Sequence, residues 1–383
     1  MTRVGGFGEV GERLERQAAG GDPWAAVRTD ALARATREQS RRVVRGVADM
    51  ESYLAAQVSD TSHREVVGPL LDGGPPSGVV VRRGTVIASW GDPARVEMAF
   101  SATKSVLALT AAVAYDDGLL RLDEPVHRSV DLPQFADSHS RAITWRHLLD
   151  QTSQWEGELW GKPTSVDAQS VREGTESPGG PPGEGWAYND VRVNLAALAL
   201  TVLFGKPLPE ILRTRVAEPI GASSLWSWHG YANSWADVGD GGDIGDAAGG
   251  RVPVVSGGAH WGGGLWINAL DLARIGQLCL RGGSWEGRRV VSRRWIGEMW
   301  TPCPVKPDYG LSWWLNDDRT VWPDAPSTGR CARGNGGAHL LWVDPARDLV
   351  ISSRWGAGPE ALLRAVSAAV TPDSGSGSGS AEG

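Results

Sequence analysis

Lysine is nearly missing from this chain: of its 38 cationic residues only Lys104, Lys162, Lys206 and Lys306 are Lys, and the rest are Arg. An arginine keeps its proton in a protein, whereas a buried lysine can give its proton up, so a Lys beside a possible nucleophile points to proton chemistry. Lys104 stands three residues after Ser101. Cysteine is also scarce, and Cys279, Cys303 and Cys331 are odd in number with no close metal-ligand spacing. The first fifty residues lack the basic-then-apolar run of a secretory signal, so a reduced, cytoplasmic protein is expected. No window approaches the roughly 18 uncharged apolar residues that a membrane span requires. A basic excess is absent too: the net charge of -7 argues against a surface that tracks nucleic-acid phosphates. The local exception, with Arg34, Arg37, Arg41, Arg42 and Arg45 among Ala, Val and Leu, reads as the solvated face of an amphipathic helix.

Several catalytic templates are missing as well. There is no Gly-x-Ser-x-Gly elbow, and the seven histidines form no His-Glu-x-x-His pair. Asp237, Asp240, Asp243 and Asp246 do not follow a calcium-loop pattern, so neither a metal nor a cofactor is expected. Gly6-Phe7-Gly8-Glu9-Val10-Gly11 fits the dinucleotide pattern, but too little chain precedes it to make the strand which that motif must follow. Phenylalanine is rare, at four, against 19 tryptophans. Trp155, Trp160, Trp186, Trp261 and Trp266 are candidates for an apolar acyl pocket, although any one indole more often serves the core.

What is present reads as a sheet assembled from both ends of the chain. Gly78–Trp90 holds two β-branched runs joined at Arg83-Gly84, a hairpin signature. Ser101 to Gly118 is a largely apolar helix, and further helices are expected from Ile143, over Val191–Phe204, near Leu208–Val216, over Asp271–Leu280 and over Glu360–Val370. Strand patterns return at Ala338–Val343 and Leu349–Ser353. The expected organisation is a flexible N-terminus (1–23), a discontinuous α/β domain (24–125 and 251–372), a helical lobe (126–250) and a linker-like Ser/Gly tail (373–383). The cleft belongs at the junction of domain and lobe.

Ser101 opens its helix, where backbone N–H groups and a partial positive charge meet any anion that forms. Lys104 lies one turn on, over the same face, in a place where the helix end disfavours a cation. Trp186-Ala187-Tyr188-Asn189-Asp190 sits between a Pro/Gly loop and the next helix, so the Tyr188 phenol can project into a cleft. Gly334-Asn335-Gly336-Gly337 precedes a strand, where small residues let a substrate approach the backbone. His260, between Gly257-Gly258-Ala259 and Trp261-Gly262, either reaches the cleft or serves the structure.

In the order Ser-x-x-Lys, Tyr-Asn-Asp and Gly-rich strand entry, these motifs resemble serine β-lactamases and penicillin-binding proteins, above all the class C-like branch. Phe100–Val106, Asp117–Val126, Thr144–Ser153, Gly263–Trp266 with Asp271–Arg274, and Tyr309–Trp314 carry the likeness, which extends from Gly78 to Val370. That branch includes esterases and 6-aminohexanoate-dimer (nylon oligomer) hydrolases, so it does not fix a substrate. The resemblance implies an α/β (α+β) β-lactamase-like fold: an antiparallel sheet flanked by helices, with an inserted all-helical lobe. It implies Ser101 as nucleophile, Lys104 as the amine that takes its proton, Tyr188 as phenolic acid/base, and the N–H groups of Ser101 and Ala338 as oxyanion donors. Asn189, Asp190, His260, Trp266, Asn335, Gly336 and Gly337 are its substrate-binding candidates.

Two departures bear on the substrate. Asp190 stands where Tyr-x-Asn is usual, and neutral Asn335 stands where the third motif usually starts with a cation. Unless Arg333 reaches in, the cleft lacks a charge to pair with a carboxylate, which favours neutral esters or amides. β-Lactamase or DD-peptidase action, acyl transfer, and a covalent acyl sensor without turnover are the alternatives. The expected partner is a small-molecule ester or amide, with no nucleic acid and no membrane.

Overall fold

The structure, a computed structural model, describes residues 9–15, 21–44, 49–58, 60–167, 180–238 and 250–372. The glycine-rich stretch at 239–249, with Asp240, Asp243 and Asp246, and the Ser/Gly tail lie outside the described residues.

Helices α1 (Thr29–Gln39) and α2 (Met50–Ala55) precede the expected hairpin of β1 (Ser77–Arg82) and β2 (Thr85–Trp90). Arg83 and Gly84 sit at φ 49° and 71°, the left-handed pair that matches strand twist in a two-residue turn. Val79 and Val81 pack in one core and Val80 in another, so this doubly buried strand reads as an unbroken apolar run. β3 (Glu97–Met98) leads into α3 (Ala102–Asp116), whose residues from Ala102 to Ala114 are all buried.

A capping box starts α4 (Trp145–Leu149): Thr144 Oγ1 accepts the His147 N–H, and the His147 ring accepts the Thr144 N–H. Between α4 and the next helix lies a short hairpin, β4 (Glu158–Leu159) with β5 (Lys162–Pro163). α5 (Asp190–Phe204) is capped by Asn189 and closed by Gly205 at φ 63°, and α6 (Leu208–Leu212) runs into a π-helical turn over Arg213–Ala217.

β6 (Ser227–Asp237), β7 (Arg251–Val255) and β8 (Gly264–Ile267) join β3 in a four-stranded sheet of order β3-β8-β6-β7. The span 126–250 is therefore not all helix: β4, β5 and the 11-residue β6 lie within it. α7 (Ala269–Leu280), the hairpin β9 (Ser284–Trp285) and β10 (Arg288–Arg289), and α8 (Arg293–Met299) follow. β11 (Tyr309–Gly310), β12 (Trp313–Leu315), β13 (Arg330–Gly334), β14 (His339–Asp344), β15 (Leu349–Arg354) and α9 (Pro359–Ala369) complete the chain.

The main sheet has the order β11-β12-β13-β14-β15-β1-β2 and is antiparallel throughout, so the early hairpin closes a sheet built by the last third of the chain. α7 lies so close to one face that a Cβ on Gly276 would meet Val350 and Leu341 at 2.7 and 2.8 Å. α1 and α9 cover the other face through Leu32, Ala35, Leu362 and Leu363. The N-terminus is less free than its composition suggests. Gly11 and Leu14 donate to Val86 and Gly84 along the edge of β2, and Glu12 accepts the Val86 N–H.

No single helix among the described residues is long and apolar enough to cross a membrane.

Candidate active site

The nucleophile candidate sits on a constrained turn. Phe100, immediately before it, is held at φ 50°, a region costly for a bulky side chain. Its ring packs against His339 and Trp355 at 4.7 and 5.5 Å. His339 accepts the Arg354 Nε–H at Nδ1, and burial, with Arg354 second, holds that imidazole well below the usual range. Ala99 donates to Leu265, and Thr103 Oγ1 accepts the Leu265 N–H, which ties the turn to β8. On its other side β13 passes so near that a Cβ on Gly334 would lie 2.4 Å from the Ala99 carbonyl.

Ser101 occupies the N-cap of α3 without making a capping bond. Its Oγ accepts instead from Lys104 Nζ at 2.9 Å. Lys104 is 1% exposed, lies 2.5 Å from Asp190 Oδ1 and sits 4.6 Å from the centre of the Tyr188 ring. Tyr188 in turn packs, tilted or edge-on, among Trp186, Tyr309 and Trp314. Burial raises the Tyr309 hydroxyl well above the usual phenol range and brings Tyr231 to about 12, so both phenols remain neutral beside Lys104 and Asp190. Gln151, at φ 58°, links this wall to the Tyr188 loop: its Nε2 donates to the Tyr309 hydroxyl and its Oε1 accepts the Asn189 N–H.

Ser101 and Tyr188 open onto one cavity of about 220 Å³, shared with Gln57, His260, Arg333, Asn335 and Gly336. The structure brings the three motifs together there, but it uses several candidates otherwise. Asn189 turns away, capping α5 and donating to the Thr164 carbonyl at 2.9 Å. Asp190 is fully buried beneath Lys104 instead of facing the cavity, and its backbone N–H binds the Asp167 carboxylate. Gly258 makes this possible, because a Cβ there would lie 2.4 Å from the Asp190 carboxylate.

The His260 imidazole is buried too, 3.2 Å from Asp167 Oδ1 and stacked on Trp261 at 4.4 Å. Trp266 packs against His229 at 4.3 Å, outside the cavity lining. Gly337 faces Trp322 and Pro359. The Ala338 N–H, expected as an oxyanion donor, is spent on the Asn335 carbonyl at 3.1 Å, because residues 335–337 form a 3-10 turn at the end of β13. None of the five candidate pocket indoles is part of the cavity lining, although Trp186 packs against Tyr188 and Trp261 against His260, which are.

Arg333 corrects the electrostatic reading. The β13–β14 hairpin places Asn335 past the strand end and Arg333 on the cavity wall, with its guanidinium 4.1 Å from the centre of the Trp314 ring. A cation therefore stands at the third motif after all. Tyr53, Gln57 and Asp167 also belong to the site, and no sequence pattern marks them.

The profile of the family described as Beta-lactamase matches residues 77–353. Among solved structures, a family VIII carboxylesterase is similar over 92% of this chain and 99% of its own, at 16% identity and a TM-score of 0.57. A penicillin-binding protein homologue from Caulobacter crescentus is similar over 89% and 98%, at 17% identity and a TM-score of 0.56. EstCE1, titled a hydrolase with promiscuous acyltransferase activity, is similar over 89% and 99%, at 15% identity and a TM-score of 0.53. At these identities the likeness concerns the fold. Among curated proteins none matches.

Proposed function

Because the chain belongs to the beta-lactamase family, we propose that it is a serine hydrolase cleaving carboxylic esters or amides through an acyl-enzyme on Ser101. The observation that carries this reading is the 2.9 Å contact between Lys104 Nζ and Ser101 Oγ at the cavity. As Oγ adds to the acyl carbon, its proton passes to Lys104, and the Asp190 carboxylate stabilises the ammonium that forms. Tyr188 gives its phenolic proton to the leaving alkoxide or amine and takes the one held by Lys104 in its place, so the alcohol or amine departs and leaves the acyl group on Ser101. Water then adds to the acyl carbon, and the acid is released with Ser101 restored.

The oxyanion donors in this reading are the Ser101 N–H and, since Ala338 is engaged, the N–H of Gly336 on the same cavity. The enzyme is proposed to work in the cytoplasm on a small molecule.

A second reading, hydrolysis of a β-lactam or of a D-amino-acid-terminated peptide, is favoured by Arg333, which supplies the carboxylate partner that Asn335 lacks. A panel of 4-nitrophenyl butyrate, its anilide and nitrocefin separates the readings. Ser101→Ala is expected to lower kcat on the preferred substrate by about 10³-fold or more, and Lys104→Arg, which cannot yield its proton, by about 10²-fold. Full activity in Ser101→Ala would overturn the mechanism.

A further inference from the structure

The first turn of α5 and the glycine-rich segment 256–261 close around Asp190, the carboxylate that backs Lys104. On one side the Asp190 backbone N–H donates to Asp167 Oδ2. On the other, Gly258 lies over the Asp190 carboxylate, and the Gly257 N–H donates at 2.9 Å to Asn194 Oδ1, one turn along α5. Asp167 joins the two sides. Its Oδ1 lies 3.2 Å from His260 Nδ1, two residues beyond Gly258, and both side chains are buried. The His260 ring stacks on Trp261 at 4.4 Å, and the Trp261 indole N–H donates to the His63 carbonyl at 3.1 Å. Asn189, the cap of α5, donates to the Thr164 carbonyl, so the turn over 164–167 is tied to the helix at both ends.

A carboxylate offers acceptors only, so Asp167 can hold a backbone N–H with one oxygen and an imidazole N–H with the other. Its charge also stands where a helix N-terminus favours an anion. Asp167 is not among the residues that line the cavity, so any effect it has on the reaction passes through Asp190. A displacement of about 1 Å at a reacting group can cost on the order of 100-fold in rate.

We propose that Asp167, with His260, is a positioning residue for acylation: it clasps the start of α5 to the segment covering Asp190 and so fixes that carboxylate against Lys104. This rests on the acyl-enzyme reading above and deepens it at the proton-accepting end. Losing the clasp slows proton transfer from Ser101 and leaves substrate binding unchanged.

The test is stopped-flow acylation by excess 4-nitrophenyl butyrate, whose leaving group departs without a proton, so the rate reports the Ser101–Lys104 half of the mechanism. Asp167→Asn is expected to lower the saturating acylation rate constant about tenfold, with the half-saturating concentration within about twofold of the parent. In an Asp190→Asn background the same change is expected to cost no more than about twofold, because a residue acting through another has nothing left to act on. The rate constant, unlike the amplitude, does not depend on how much of a preparation is folded. If either carboxylate variant fails to fold, His260→Phe, which keeps a ring on Trp261 and lacks Nδ1, decides: a rate about fivefold lower at unchanged half-saturation supports the clasp, and a parental rate overturns it. A parental rate in Asp167→Asn, or the same tenfold loss in both backgrounds, also overturns the inference while leaving the mechanism intact. Undiminished hydrolysis by Ser101→Ala overturns the mechanism instead.

Discussion

Asp190 shows at the scale of one residue how a motif departure is resolved by burial. Read as a string, it places a negative charge where a substrate amide is expected. Folded, it is the first residue of α5, buried, with its carboxylate 2.5 Å from Lys104. In the proposed mechanism this carboxylate is the partner of the ammonium that forms on Lys104, and removing it leaves that buried charge uncompensated. Asp190→Asn is expected to destabilise the protein by roughly 3 kcal/mol, read from urea unfolding, and to slow acylation by on the order of tenfold or more. Wild-type stability and rate in that variant would show that the carboxylate does not support Lys104. The sequence made Ser101, Lys104 and Tyr188 legible because their spacing and flanking helices are local. It hid Tyr53 and Asp167, whose roles arise only when distant segments meet.

Elements with strong local signals are the ones the sequence announces. The Val79–Val81 run and the Arg83-Gly84 turn foretell the first hairpin, and Gly205 at φ 63° ends α5 where the apolar pattern stops. β6 and β7 escape notice because their inward residues alternate with polar ones and the β6–β7 register shifts between Gly230 and Trp235. β11 and β12 are too short, at two and three residues, for any period to show. The charge at the third motif is misread for a related reason: neutral Asn335 stands out in the string, but Arg333, two residues earlier on β13, lines the same cavity.

The turn between β11 and β12 makes a testable claim of its own. Asp150, at the end of α4, accepts the Leu311 N–H at 2.6 Å, while Leu311 and Ser312 hold φ 35° and 66°. Burial, opposed by that hydrogen bond, raises the Asp150 carboxyl from 3.8 to about 6. The folded state therefore binds this proton more tightly than the unfolded chain, and the stability it contributes is full below about 3.8 and lost as pH rises through about 6. Asp150→Asn keeps an acceptor and removes the charge. Relative to the parent, it is expected to gain up to about 3 kcal/mol between pH 4 and pH 7, measured as the change in urea midpoint with pH. A pH-independent difference would contradict the assignment.

Across the whole molecule, the sheet is made from both ends of the chain, and the site forms where its parts converge. α3 brings Ser101 and Lys104, the approach to α5 brings Tyr188, β13 brings Arg333, and the N-terminal segment adds Gln57. In the proposed mechanism this arrangement, with Lys104 buried against Ser101, serves one covalent event at Ser101. Intact-mass analysis after a fluorophosphonate, followed by peptide mapping, tests that claim most directly. The expected result is one adduct per chain on Ser101, absent in Ser101→Ala and formed far more slowly in Lys104→Arg. An adduct on another residue, or equal labelling of Lys104→Arg, would contradict it.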